Sequence, residues 1–189
     1  MSSSDDRPIA FLDLAAQQER IGPALRKRLD AVLAHCRFVM GPEVTELEGR
    51  LAAWAGAREC VGVSSGTDAL QIVMMAEGIG PGDAVFLPAF TYTATAEVPL
   101  VLGATPVFVD VDPQTFQIDP EHLRSRIQAV RAAGKLRPRA IVGVDLFGQP
   151  APWPELRAIA QHEGLFLMAD CAQSFGAELA GKPLGRARS

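Results

Sequence analysis

The stretch "LMADCAQSFGA", residues 167–177, carries an apolar run into an acid, Asp170, and places a glutamine, Gln173, three positions later. A short apolar run bounded by polar and small residues is typical of a buried strand, so Asp170 falls at a strand end. Its position allows two interpretations. An aspartate there can begin a turn or cap the next element through its side chain, or it can present a carboxylate to a ligand.

Four further apolar runs precede this strand and alternate with helical segments. The runs are "CVGVSS" (60–65), "AVFLP" (84–88), "TPVFVDV" (105–111) and "RAIVGVDL" (139–146), and the last strand is "LFLMAD" (165–170). Helical spacing of apolar residues predicts two N-terminal amphipathic helices, over 14–35 and 41–57, and later helices over 67–77, 93–102, 120–132 and 153–162. This succession predicts an α/β fold: a three-layer, mostly parallel sheet with helices on both faces.

Composition excludes several classes of protein. The 189 residues are 48% hydrophobic and 21% charged, which is typical of a soluble globular domain. A net charge of -4 with scattered basic residues argues against nucleic-acid binding. The polar start "MSSSDDRPIA" is neither a secretory signal nor a transit peptide, which predicts a cytoplasmic protein. Prolines and a glycine interrupt the apolar stretch "EVPLVLGATPVFV", so no membrane segment is predicted.

The cysteines and histidines show no ligand spacing. Three widely separated cysteines predict reduced, mostly buried thiols rather than a disulfide framework, and no metal site is predicted. These cysteines are Cys36, Cys60 and Cys171.

The residues that follow the strands form the candidate site, because ligands of open parallel sheets bind outside the carboxyl ends of the strands. "SSGTDAL" (64–70) precedes a helix, which indicates either a phosphate cradle or ordinary capping. "PAFTYTATAE" (88–97) offers Phe90 and Tyr92 either to the core or to a flat ring. Asp145 and Asp170 end the last two strands. A phosphate seat, an aromatic face and a carboxylate together match a flat, phosphorylated pyridine, whose ring nitrogen a carboxylate would keep protonated.

Taken together, the motifs resemble the DegT/DnrJ/StrS family of pyridoxal-phosphate-dependent sugar aminotransferases, from about Ile9 to about Lys182. The motifs that carry the resemblance are "FLDLAAQQ", "MGPEVTELE", "SSGTDALQI", "PAFTYTATAE", "GATPVFVDVDPQTFQIDP", "VDLFGQPA" and "DCAQSFGA". They are most similar to the branch that aminates a UDP-linked 3-oxo-glucuronate sugar, with glutamate as donor, for surface polysaccharide or lipopolysaccharide. The resemblance implies the large domain of fold-type I transferases and a homodimer with active sites at the interface.

The resemblance also implies a cofactor, pyridoxal 5'-phosphate, and the residues that bind it. Gly66, Thr67 and Asp68 would bind the phosphate at the helix start, mainly through backbone donors. Tyr92 would stack on the pyridine ring.

Two further roles follow from the motif that opened the sequence. Asp170 would hold the ring nitrogen, and Gln173 would donate a hydrogen bond near the phenolic oxygen. The resemblance therefore favours the ligand interpretation of Asp170 over the turn interpretation.

One element of the family pattern is missing from the sequence. Relatives bind the cofactor through a lysine in a segment resembling "SFFPSK", beyond "DCAQSFGA", and none of Lys27, Lys135 and Lys182 matches that segment. We therefore expect an N-terminal helical segment over 1–40 and a cofactor-binding large domain over 41–189 that stops before the lysine, without a C-terminal domain. Such a chain is expected to be inactive alone.

Three explanations of the missing lysine are open: a truncation, a frameshifted end and an incomplete gene model. Two other functions also fit the sequence. One is a non-catalytic relative that binds the cofactor, a sugar nucleotide or a partner subunit. The other is a sugar dehydratase that uses a histidine in place of the lysine.

Overall fold

The helices and strands follow one another in the predicted order, with two differences among the strands: the strand predicted over 60–65 is absent, and two short antiparallel strands follow the last predicted one. The computed structural model describes residues 11–179 and 181–184. Its helices are α1 (Leu14–His35), α2 (Pro42–Ala55), α3 (Gly66–Ala76), α4 (Ala94–Val101), α5 (Pro120–Ala133) and α6 (Trp153–Glu163). Its strands are β1 (Asp83–Pro88), β2 (Thr105–Val109), β3 (Arg137–Val144), β4 (Phe166–Asp170), β5 (Glu178–Leu179) and β6 (Lys182–Pro183).

The chain divides into two compact units, Met1–Arg50 and Leu51–Ser189. In the first unit, Asp13 caps α1 by accepting a hydrogen bond from the Ala16 amide at 2.9 Å. α1 has 22 residues, yet neither it nor any other helix of the described ranges is apolar enough over a sufficient length to cross a membrane. The domain boundary expected after residue 40 stays a prediction.

The second unit is built on a parallel four-stranded sheet with the order β2-β1-β3-β4. One row of paired residues crosses all four strands: Val107, Phe86, Ile141 and Leu167. This row packs in the same apolar cluster as residues of α5 and α6. Residues of α3 and α4 pack in a second cluster with the alternate strand residues, such as Leu87 and Val142. The predicted α/β fold with helices on both faces is therefore confirmed.

Burial on both faces explains why the central strands are apolar throughout. All six residues of β1 are buried, and each large apolar side chain buried in this way contributes about 1.5–3 kcal/mol to folding. The packing on the α6 side is close. A Cβ at Gly143 would lie 2.6 Å from Cη2 of Trp153 and 2.9 Å from Cδ1 of Leu156, so only glycine fits there.

The predicted strand over "CVGVSS" (60–65) is wrong. This segment is an irregular connection between α2 and α3, and Val61 and Val63 are 75% and 39% exposed. Within the described residues β2 and β4 are the edge strands of the sheet, and neither of them pairs with segment 60–65. An apolar run adopts strand geometry only where a neighbouring strand completes its backbone hydrogen bonds.

The expectation of mostly buried thiols is also wrong. Cys36 is exposed, while Cys60 and Cys171 are partly buried. Cys36 follows the last turn of α1 in a left-handed conformation, with φ of 55°. Its position at a helix end, rather than inside the core, explains the exposure.

Candidate functional site

The candidate site lies at the edge of the sheet where the four strands end, which we call the carboxyl edge. Because the strands are parallel, their last residues share this edge. α3 brings its N-terminus to the same edge, since the carbonyl of Glu77 at its other end accepts a hydrogen bond from Arg139 near the start of β3. Eleven helical residues span about 16 Å, close to the roughly 20 Å of a six-residue strand.

The start of α3 offers two unpaired backbone donors. Ser65 caps the helix: its Oγ accepts from the Asp68 amide at 3.1 Å, and its carbonyl accepts from the Ala69 amide at 3.0 Å. The amides of Gly66 and Thr67 donate to no other residue in the described part of the chain. A Cβ at Gly66 would meet no atom within 4 Å. Two free N–H groups at the positive end of a helix can bind a phosphate.

The side chain of Asp68 turns back towards its own cap. Its Oδ2 accepts hydrogen bonds from the hydroxyls of Ser64 and Ser65, the latter at 2.8 Å. These bonds, that of Ser64 first, hold the pKa of the Asp68 carboxyl below its ordinary value. Because each serine donates its single proton to Asp68, the donors left for a phosphate are the amides of Gly66 and Thr67. A contribution of Asp68 to phosphate binding stays a prediction.

The two aromatic residues after β1 are not core residues. Tyr92 is 71% exposed and Phe90 is 49% exposed. Phe90 belongs to a partly exposed cluster with Phe116 and Phe147, at ring-centroid distances of 5.7 and 6.3 Å. Tyr92 has no aromatic neighbour among the described residues, and its exposure makes the side chain accessible to a ligand.

Asp170 is the last residue of β4, and only one of its two carboxylate oxygens is bonded within the following turn. Its Oδ1 accepts from the amide of Ala172 at 3.1 Å, which is the bond expected of a turn aspartate. Its Oδ2 has no hydrogen-bond partner in the described structure. The side chain is partly buried. The turn therefore fixes the carboxylate and leaves one oxygen for a donor outside the protein, so both interpretations of Asp170 apply together.

The amide of Gln173 is oriented by the loop after β3. Its Oε1 accepts from the backbone amide of Phe147 at 2.6 Å. Phe147 has φ of 60° and Gly148 has φ of 79°, and a Cβ on Gly148 would lie 3.1 Å from the carbonyl oxygen of Gln173. Since Oε1 is occupied, Nε2 is the end of the amide that can donate to a ligand. The contacts of Phe90 with Phe147, and of Phe147 with Gln173, bring the ends of β1, β3 and β4 together.

Sequence reasoning noted Asp145 at a strand end but gave it no role. The side chain is 0% exposed. Its Oδ1 accepts from the Ala151 amide at 2.8 Å and from Trp153 Nε1 at 2.9 Å, and its Oδ2 accepts from Ser174 Oγ at 2.8 Å. No local pattern in the sequence indicates these bonds, because the partners lie 6, 8 and 29 residues from Asp145.

Cys171 lies beside this carboxylate. Burial, and then the negative charge of Asp145, raise the pKa of the Cys171 thiol to about 12. The thiol is therefore protonated at neutral pH, and only the thiolate form of a cysteine is a nucleophile.

A separate surface cleft of about 520 Å³ lies between α5 and α6. It is lined by Arg124, Gln128, Ala158, Ile159, His162 and Glu163. The acid in this cleft, Glu163, is paired with Arg131 at 2.8 Å and with His162 at 3.1 Å. The carboxyl edge, with its unpaired amides and carboxylate oxygen, is the better candidate for a ligand.

Comparison with known proteins places the chain in one family of aminotransferases. The model of the DegT/DnrJ/EryC1/StrS aminotransferase family matches residues 19–189, which confirms the resemblance drawn from the motifs. UDP-2-acetamido-2-deoxy-3-oxo-D-glucuronate aminotransferase of Pseudomonas aeruginosa is 48% identical over 174 residues, which cover 92% of this chain and 46% of that protein.

Solved structures agree with the sequence comparison. A DegT DnrJ EryC1 StrS aminotransferase from Brucella abortus superposes with a TM-score of 0.90 at 45% identity, over 93% of this chain and 47% of the other. NtdA from Bacillus subtilis, solved with bound cofactor PMP, superposes with a TM-score of 0.81 at 31% identity, over 95% of this chain and 41% of the other. The chain spans about half the length of the relatives that it matches.

Proposed function

Because the chain belongs to the DegT/DnrJ/EryC1/StrS aminotransferase family, we propose that its carboxyl edge is the pyridoxal 5'-phosphate site of an enzyme that aminates a nucleotide-linked keto sugar. The substrate is of the UDP-3-oxo-glucuronate type, in line with the 48% identical relative. Glutamate is the amino donor, and the product serves surface polysaccharide. A cytoplasmic location and a homodimer belong to the same proposal.

One observation carries the proposal: the carboxyl edge leaves unpaired the groups that this cofactor needs. Two free amides at the start of α3 fit its phosphate, and the exposed ring of Tyr92 fits its pyridine face. The free oxygen of Asp170 fits the protonated ring nitrogen, and Nε2 of Gln173 fits an acceptor such as the phenolic oxygen. The donor set therefore fits the cofactor.

The residues would divide the work as follows. When bound, the cofactor supplies an electron sink for the transfer of the amino group. Oδ2 of Asp170 would hold the proton on the ring nitrogen, because a neighbouring negative charge favours the protonated form. Nε2 of Gln173 would donate to the phenolic oxygen. Gly66 and Thr67 would anchor the phosphate, and Tyr92 would cover one ring face and exclude water from it.

We also propose that the 189-residue chain, taken alone, holds the cofactor without a covalent bond. Lys27 lies on α1, in the first compact unit, and Lys135 lies between α5 and β3, before the amino end of that strand. Lys182 lies in β6, within a motif that matches a surface turn in the family resemblance. Borohydride reduction of the loaded chain, followed by peptide mapping, is expected to give no stable pyridoxyl label. A label on Lys182 would contradict this expectation.

The aminotransferase proposal is tested in a chain extended to the length of its relatives. Glutamate is expected to convert the bound cofactor to its amine form, followed by absorbance, and a UDP-linked 3-oxo sugar should restore the original form. Aspartate as donor and a dTDP-linked keto sugar as acceptor are the matched comparisons. If a folded and loaded protein does not react with glutamate, the aminotransferase proposal fails, and a non-catalytic binding protein becomes the better account.

A further inference from the structure

Asp145 takes no part in the cofactor contacts proposed above, yet it is bonded to the turn that makes them. Its carboxylate is completely buried. A buried carboxylate requires hydrogen bonds at both oxygens. Oδ1 is satisfied from one side, by the amide of Ala151 and the indole of Trp153 at the start of α6. Oδ2 is satisfied from the other side, by the hydroxyl of Ser174.

The donors to the two carboxylate oxygens of Asp145 belong to different parts of the fold. Trp153 packs in the core against β3, where Gly143 allows its ring to lie close to the strand. Ser174, which is 1% exposed, ends the turn that begins at Asp170, and its amide donates to the carbonyl of Cys171 at 3.1 Å. Asp145 therefore links a rigid part of the core to the turn after β4.

Two more bonds tie the same turn to the loop that begins at Asp145. The amide of Asp145 donates to the carbonyl of Asp170 at 3.0 Å. The amide of Phe147 donates to Oε1 of Gln173 at 2.6 Å. The turn that carries Asp170 and Gln173 is thus bonded to Asp145 twice, through its carboxylate and through its backbone amide, and to the adjacent Phe147 once.

We propose that Asp145 is the positioning residue of the site: through Ser174 it holds the turn that aims Asp170 and Gln173 at the cofactor. The inference rests on the proposed function for the identity of that ligand. It does not make Asp145 a catalytic residue, because its carboxylate is completely buried and enclosed by protein donors.

A matched control separates positioning from simple stabilisation of the core. Asp83 is also buried, at 2% exposure, and is also bonded at a strand end, to the Gly80 amide at 3.1 Å and to Arg137 at 2.7 Å. It lies at the opposite, amino end of the strands. Asp83→Asn should therefore weaken the fold without moving the turn after β4.

The first experiment measures amide exchange by NMR in the 189-residue chain, without any cofactor. The amide of Ala172 reports the orientation of Asp170, and the amide of Phe147 reports that of Gln173. In Ser174→Ala and in the milder Asp145→Asn, we expect both amides to exchange faster by up to about tenfold, the range set by the net worth of one hydrogen bond. In Asp83→Asn they should change only as much as the rest of the sheet. Equal changes in all three variants would overturn the proposal, and Asp145→Asn carries the test if Ser174→Ala does not fold.

The second experiment measures the dissociation constant of pyridoxal 5'-phosphate for the same variants. We expect about tenfold weaker binding in Ser174→Ala, the scale on which outer hydrogen-bond partners support ligating groups, and no change in Asp83→Asn. If Asp145 acts through Ser174, the variant that combines Asp145→Asn with Ser174→Ala should bind the cofactor no more weakly than Ser174→Ala alone. Unchanged affinity in Ser174→Ala would overturn the positioning role. If the unaltered chain binds no cofactor, the proposed function fails for this chain, and amide exchange still decides whether Asp145 positions the turn.

Discussion

The polar groups at the two ends of the four-stranded sheet differ in how they are hydrogen-bonded. At the amino edge, where the strands begin, Asp83, Arg137 and Arg139 form bonds within the protein, although Nε of Arg139 is buried without a partner. Asp83 pairs with Arg137 at 2.7 Å and accepts from the Gly80 amide, and Arg139 donates to the carbonyl of Glu77. Such an edge stabilises the fold but offers little to a ligand.

At the carboxyl edge, several polar groups are held in place by the fold but keep hydrogen-bonding capacity that no described residue satisfies. The amides of Gly66 and Thr67 have no partner in the described chain, Asp170 is bonded through one oxygen only, and Gln173 is bonded through its oxygen and not its nitrogen. The comparison shows that a site is marked less by the presence of charged residues than by donors and acceptors that the fold orients and leaves open.

The largest effect is expected from Asp170→Asn in a chain extended to the length of its relatives. The change preserves the shape and the turn but removes the charge that keeps the ring nitrogen protonated. We expect turnover to fall at least about a hundredfold, on the order of 3 kcal/mol in the barrier. The measurement is the rate of the half-reaction with glutamate.

Asp83→Asn, at the other edge, is the control for this comparison. It should lower stability by about 1–2 kcal/mol and leave the half-reaction rate unchanged. Near-normal turnover in a folded, loaded Asp170→Asn enzyme would reduce Asp170 to a turn residue and remove the contrast between the two edges.

A second test uses two glycines, one in the core and one at the carboxyl edge. In Gly143→Ala the new Cβ would lie 2.6 Å from the Trp153 ring, and overpacking of this kind lowers the free energy of unfolding by about 1–3 kcal/mol. Gly66→Ala has open space around it, so urea unfolding should show no loss of stability. Cofactor binding should weaken in Gly66→Ala, because a methyl group at the start of α3 would crowd a phosphate held by the amides of Gly66 and Thr67. Normal binding there would argue against the phosphate seat.

The thiol of Cys171 gives a smaller, pH-dependent effect. Its pKa is raised to about 12 by burial and by Asp145, whereas an unfolded cysteine titrates near about 8.5. Between these values the unfolded chain has lost a proton that the folded chain keeps, so stability falls as pH rises. Cys171→Ala should flatten this alkaline decline in urea unfolding. An identical decline in both proteins would show that the thiol is not buried beside a charge.

The smallest effect concerns Asp68. Its pKa is lowered by the hydroxyls of Ser64 and Ser65, so its contribution to stability is present above the unfolded pKa and is lost as pH falls through the folded value. Ser64→Ala should raise the pKa of Asp68 towards its ordinary value in an NMR titration. A phosphate bound at the start of α3 should raise it too, because like charges disfavour ionisation. Asp112, whose pKa is lowered by the amides of Thr115 and Gln114, serves as the reference that neither change should move.

Much of the fold could be predicted because it depends on local patterns. α1 begins and ends where the apolar spacing places it, at Leu14 and His35, and α5 begins at the proline that follows its cap, Asp119. The wrong prediction was the strand over 60–65. Its residues have the apolar pattern of a strand, but strand pairing requires an adjacent strand, which the local pattern cannot specify.

The candidate site could be predicted only in part. The order of motifs pointed to Gly66, Tyr92, Asp170 and Gln173, and their assignment as cofactor residues stays a prediction. Asp145 was not assigned, because its partners lie 6, 8 and 29 residues away and come together only through α6 and the turn after β4.

The sequence by itself determined the class of fold and the family, and it predicted the edge of the sheet where a ligand would bind, because periodicity and motif order are properties of the chain. The tertiary structure decided which polar groups are available at that edge. It used one oxygen of Asp170 in a turn and freed the other, it set the amide of Gln173 through the positive φ of Phe147, and it enclosed Asp145. Hydrogen-bond saturation depends on groups that are distant in the chain and adjacent in space, so no local pattern can specify it.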